Sequence, residues 1–168
     1  MLRKMSPFSD KCKLTLNNTK VSVQRYAVVH VLLVKATNLP KMNKNGKSSD
    51  PYCVLSLGKK NFKSKTISKC LNPEWKESFE FNWYKDFDDV LSLKIYNKNC
   101  GELPLDDWMG QVKVDLNEWE LEQTHHIWKI IENDTENSGQ IFVLLTISGT
   151  TSDDAVTNLK TVEENLQR

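Results

Sequence analysis

The sequence predicts an all-β protein, an eight-stranded antiparallel β-sandwich with flexible termini. Three observations carry that prediction. Short segments rich in β-branched and aromatic residues recur from Tyr26 onward, and clusters of Gly, Pro, Asn and Asp separate them. No helix-length pattern lies between them to act as a parallel crossover, so consecutive strands pair antiparallel. With 39% hydrophobic and 27% charged residues in 168, the chain can bury one core and is too balanced to be disordered throughout.

The elements follow in order. Residues 1–25 carry Arg3, Lys4, Lys11, Lys13, Lys20 and Arg25 against Asp10, and few large apolar residues at strand or helix spacing, which predicts a basic, poorly ordered arm. A single domain spans 26–148, with strands expected at 26–37, 52–57, 61–68, 75–83, 90–96, 108–114, 126–131 and 140–147. Leu57-Gly58-Lys59-Lys60-Asn61 reads as the hairpin between the second and third, because Gly58 accepts a positive φ. In the fourth, Phe79 and Phe81 alternate with Ser78, Glu80 and Asn82, which aims the phenylalanines at the core. Leu91, Leu93 and Ile95 do the same in the fifth, and Val112 and Val114 in the sixth. Trp75 and Trp108 are expected inside, while Trp83, Trp119 and Trp128 are candidate exposed anchors for a partner. The polar tail, 149–168, places Ala155, Leu159, Val162 and Leu166 at the spacing of a short amphipathic helix.

Composition narrows the function. A net charge of +1 drives the molecule onto no partner globally, so an electrostatic partner must be met by a local patch. The apolar run from Ala27 to Val34 falls far short of the roughly 20 residues of a membrane-spanning helix. The N-terminus does not read as a secretory signal, which leads to the expectation of a cytoplasmic protein, peripheral at membranes, whose four cysteines are thiols. His30 lies in an apolar strand, and His125-His126 has no Cys, Ser or carboxylate partner at catalytic or metal-ligand spacing, so no enzyme is expected. Isolated glycines form no phosphate-cradling loop, and Phe62 alone among the lysines of the hairpin makes no stacking platform for nucleic acid.

Four blocks then resemble the C2 domain family. They are Asn38-Leu39-Pro40, Ser49-Asp50-Pro51-Tyr52-Cys53-Val54, the run from Lys63-Ser64-Lys65-Thr66 to Leu71-Asn72-Pro73-Glu74-Trp75 and on to Phe81, and Asp107-Trp108-Met109-Gly110. Together they span Tyr26 to Ile147. Lys63 to Phe81, Val112-Lys113-Val114-Asp115-Leu116, Glu122-Gln123-Thr124-His125 and Leu144-Leu145-Thr146-Ile147 are more narrowly similar to C2 domains of multiple C2 and transmembrane domain-containing proteins. The resemblance implies a C2 sandwich, in the circularly permuted type II topology.

It also implies a place for calcium, in loops at one end of the sandwich. Calcium wants about 6–8 oxygen ligands, and ligand charge sets much of its affinity. The matching positions here are Asn43, Asp50, Asn97, Asn99 and Asp107, so amides stand at three places where the family pattern has aspartates. Glu102 and Asp106 are further carboxylates in the same loop. The expectation is a degenerate site in which calcium binds weakly or not at all, and no other cofactor. Asp50, ahead of Pro51, has a second reading as a turn cap.

Lys59, Lys60, Lys63, Lys65 and Lys69 crowd the second hairpin, with Lys63 and Lys65 flanking Ser64. The family likeness makes this a lysine patch for anionic phospholipid or phosphoinositide membranes; the plain alternative is a solvated edge that lysines protect from strand pairing. The expected function is therefore a non-catalytic module that binds anionic membranes. The alternatives are a calcium-dependent phospholipid sensor and a protein-interaction module of membrane trafficking that docks other C2 domains or trafficking proteins.

Overall fold

The computed structural model describes residues 27–44, 46–84, 89–99, 105–133 and 139–149. The expected basic arm and all of the expected tail beyond Gly149 lie outside the described residues. Among the described residues eight strands are present: β1 (Ala27–Thr37), β2 (Pro51–Leu57), β3 (Lys60–Lys63), β4 (Glu74–Trp83), β5 (Val90–Asn97), β6 (Asp107–Asp115), β7 (Thr124–Ile130) and β8 (Gln140–Gly149). They form two four-stranded sheets, ordered β4-β1-β8-β7 and β3-β2-β5-β6, with every pairing antiparallel. Among the described residues no helix is long and apolar enough to cross a membrane.

Alternation builds the core between the sheets. Leu91, Leu93 and Ile95 of β5 are 0% exposed while Ser92 and Lys94 between them are not buried, as a period of two requires. Val112 and Val114 repeat the pattern on β6, and Trp75, Phe81 and Trp83 on β4. Gly58, with φ 56, opens the two-residue link between β2 and β3, where its missing Cβ removes the penalty for that backbone.

The structure corrects four expectations. The third strand stops at Lys63 instead of continuing to residue 68, because the Ser64 hydroxyl accepts the Cys53 N–H (2.9 Å) that a continuing backbone would have taken, and donates to the Lys65 carbonyl. Phe79 is only half-buried, packed against the ring of Phe62 near the open edge of the sandwich. Trp108, expected inside, is 38% exposed, since a register shift between Ile95 and Tyr96 pairs it across from Tyr96 and turns it out of the core. Trp83, a candidate anchor, is buried, with its indole N–H donating to Asp89 at 3.0 Å.

β1 carries a bulge. Its register against β8 shifts between Leu33 and Lys35, so Val29, Val31, Leu33 and then Ala36 join the core. Leu32 and Val34 face the other way.

Candidate functional site

The loops that join β1 to β2 and β5 to β6 meet at one end of the sandwich, where most of the predicted ligand positions converge. Asp50 precedes β2, and each of its carboxylate oxygens accepts one hydrogen bond: Oδ1 from the Lys69 backbone N–H (2.5 Å) and Oδ2 from the Asn43 side-chain amide (3.1 Å). Asn43 holds its place by a further bond to the Ser48 hydroxyl. Across the cleft, the Asp50 N–H donates to Asn97 Oδ1 (2.7 Å), and Asn97 Nδ2 donates to Asp107 Oδ2 (3.4 Å). Asn97 is fully buried, so it is the hinge pin of this chain of bonds. A carboxylate there could not donate to Asp107; an amide can.

Asn99 and Asp106 are turned elsewhere. Asn99 Nδ2 donates to the Leu105 carbonyl (2.6 Å), and Asp106 accepts from the Asn99 N–H, Lys98 Nζ and the Tyr52 hydroxyl. Burial alone would raise the Asp106 pKa, but the donors Asn99, Tyr52 and Lys98 outweigh it and hold the carboxyl below its ordinary 3.8. Tyr52 moves the opposite way, its phenol pushed up by burial and by the Asp106 charge. Glu102 lies outside the described residues. Among the described residues no group of three or more His, Cys, Asp or Glu side chains could hold a metal ion.

The lysines spread down the β3 edge. Lys59 and Lys60 sit at the hairpin turn, Lys63 pairs across from Val54 near the middle of β2, and Lys69 stands at the loop end beside Asp50. Because β2 is 7 residues long, this ladder extends over roughly 20 Å and is not the compact cluster that sequence proximity suggested. Lys65 is exposed, but it lies beyond the strand, so the alternation that aligned it with Lys63 ends at Lys63. Its backbone N–H donates to Glu77.

Sequence reasoning missed two lysines. Val54 pairs with Lys63 on one side and with Lys94 of β5 on the other, and Ser92, two residues before Lys94, pairs with Lys113 of β6. Lys63, Lys94 and Lys113 therefore share the outer face of sheet β3-β2-β5-β6. Tyr52 and Tyr96 stack on that face at 5.6 Å, and Lys63 Nζ lies 3.8 Å over the Tyr52 ring. Among the described residues none of these three lysines is in a salt bridge. The outward parity of each was readable; only the strand order could join them.

A family model for the C2 domain matches residues 27–131. This chain belongs to the C2 domain family. Over 121 residues the C2 chain is 34% identical to multiple C2 and transmembrane domain-containing protein 1 of Mus musculus, covering 72% of this chain and 12% of that protein. It is 31% identical over 159 residues to the multiple C2 and transmembrane domain-containing protein of Drosophila melanogaster, covering 94% of this chain and 16% of the relative. The C2 chain thus spans a small part of the length of these relatives. A solved C2 domain of plant extended synaptotagmin 1 superposes with a TM-score of 0.68 at 24% identity, covering 77% of this chain and 99% of that one, a likeness of fold.

Of the remaining candidates in this C2 domain, Trp119 is half-buried with its ring 5.0 Å from that of His125, and His125 Nε2 lies 2.8 Å from the Glu120 carbonyl. Trp128 is 48% exposed on β7, with Ile130 beside it at 67%.

Proposed function

We propose that this C2 domain is a non-catalytic module that docks on anionic phospholipid surfaces through permanent lysines, without calcium. The observation that carries the reading is the bonding of Asp50. Each of its carboxylate oxygens already accepts an N–H, from Lys69 and Asn43, so part of its charge is committed to the fold and one lone pair on each oxygen is left for an ion. The amides at Asn43, Asn97 and Asn99 add oxygen atoms but no charge, which weakens a calcium site built on ligand charge. This donor set does not suit calcium.

With no ion needed to flip the local potential, attraction rests on Lys59, Lys60, Lys63, Lys65 and Lys69 along the β3 edge, joined by Lys94 and Lys113 on the sheet face. Each lysine near an anionic membrane contributes about 1 kcal/mol. Buried Tyr52, stacked with Tyr96, supports Lys63 from beneath and fixes where its ammonium stands. The place of work is the cytoplasmic surface of membranes.

Sedimentation with vesicles of phosphatidylcholine alone or with added phosphatidylserine tests this. Binding to the mixed vesicles is expected to be equal in chelator and in calcium, and to fall when Lys63 and Lys65 become Glu. Binding that requires calcium would overturn the reading in favour of a calcium sensor. The exposure of Trp128 and Ile130 supports a second reading, a protein-interaction module of membrane trafficking, whose complex would survive high salt.

A further inference from the structure

Sheet β4-β1-β8-β7 has a buried side that the core does not explain. Leu32 and Val34 of β1 and Leu144 of β8 form a cluster separate from the core, with Phe142 packed on it. They are 0%, 3% and 1% exposed. The pairings Leu32 with Leu144 and His30 with Thr146 place all four side chains on the face turned away from the second sheet, and His30 and Thr146 are buried too. Ser78, Glu80 and Asn82, on the same face of neighbouring β4, are not buried. One sheet layer cannot seal a leucine from above, so a covering layer lies over β1 and β8.

We propose that this layer is the chain's own C-terminal segment, residues 152–168, laid back along β1 and β8. The segment starts in the right place. β8 ends at Gly149, paired with Ala27, one residue past Ser148, which is itself buried on this outer face. A chain leaving there needs only to reverse direction to run over Thr146, Leu144 and Phe142. Its apolar pattern also fits, since Ala155, Leu159, Val162 and Leu166 form one helical stripe of about 16 Å, against roughly 20 Å of strand from Ser148 to Phe142. Thr157, Lys160 and Glu164 fall on the opposite side of such a helix, toward water. The arm at 1–26 repeats that spacing at Met1, Met5, Phe8 and Cys12, but Pro7 falls inside the run and breaks a helix there, and the arm carries six basic residues, so it suits this apolar strip less well.

The test uses the full 168-residue chain with labelled methyl groups. Nuclear Overhauser contacts are expected from Leu159, Val162 or Leu166 to Leu32, Val34 or Leu144. Leu159→Asp with Leu166→Asp should raise the fluorescence of an added naphthalene-sulfonate dye several-fold, while Glu164→Gln leaves it unchanged. Contacts to the strip from residues 1–26 would overturn the proposal, as would contacts seen only between molecules in a mixed-label sample. An unmoved dye signal in the double variant would overturn it equally.

Discussion

The Tyr52 hydroxyl donates a 2.7 Å hydrogen bond to Asp106 Oδ2, tying the start of β2 to the loop that enters β6. The same phenol ring carries Lys63 on one side and stacks with Tyr96, so the lysine face and the apical loop share one support.

Asp106 makes that support sensitive to acid. Its folded pKa lies below the unfolded value, so the stabilisation it provides is present in full above about pH 4 and is lost as pH falls through the lower folded pKa. Asp106→Asn is expected to cost about 1–2 kcal/mol at pH 7, and the gap to the parent should shrink as pH drops below 4. Thermal melting across pH 7 to 2.5 checks both parts. A gap that does not change with pH would remove the electrostatic account.

The face formed by Lys63 and Lys94 makes a prediction that the linear sequence does not. Replacing both with Ala should lower affinity for phosphatidylserine vesicles by about 2 kcal/mol, or roughly 30-fold, if each lysine is near the surface. Raising salt from 0.1 to about 0.5 M should weaken the parent in the same direction. Sedimentation isotherms measure this, and Lys94→Ala alone with no effect would confine contact to the β3 edge.

Asn97 is the position where the apex chose an amide. Asn97→Asp would keep the acceptor for the Asp50 N–H, but would lose the donor to Asp107 and bury a charge beside the Asp107 carboxylate. A loss of about 2–4 kcal/mol in chelator is expected, with part restored by millimolar calcium. The parent's melting temperature should not respond to calcium. Differential scanning fluorimetry reads both.

Gly139 opens β8 with φ 76, and a Cβ there would overlap the Thr37 carbonyl oxygen and come within 2.8 Å of that of Asn38. Backbone oxygens of a paired strand cannot swing aside. Gly139→Ala should therefore destabilise by about 1–3 kcal/mol, measured as a shift in the urea midpoint with an unchanged slope.

Particular residues show where sequence reasoning reached and where it stopped. Leu91, Leu93 and Ile95 were legible as core because strand parity is a local property, with a period set by the backbone. Trp108 was not, because its outward turn depends on a shift of register against β5. The end of β3 was hidden for a similar reason, as it rests on Ser64 competing for the N–H of Cys53. At the apex, the residue types at 43, 50, 97 and 107 were plain, but which amide faces which carboxylate was not.

By itself the sequence determined most of the strands and of their inward faces, the family and the residue types at the loop positions, all of which depend on residue type and short-range spacing. Tertiary structure alone decided that Asp50 accepts from Lys69 and Asn43, that Lys94 and Lys113 share a face with Lys63, and that Leu32 is buried on the outer side of its sheet. These depend on contacts between residues as far apart as 50 and 97, whose meeting follows from strand order and register and is written in no local pattern.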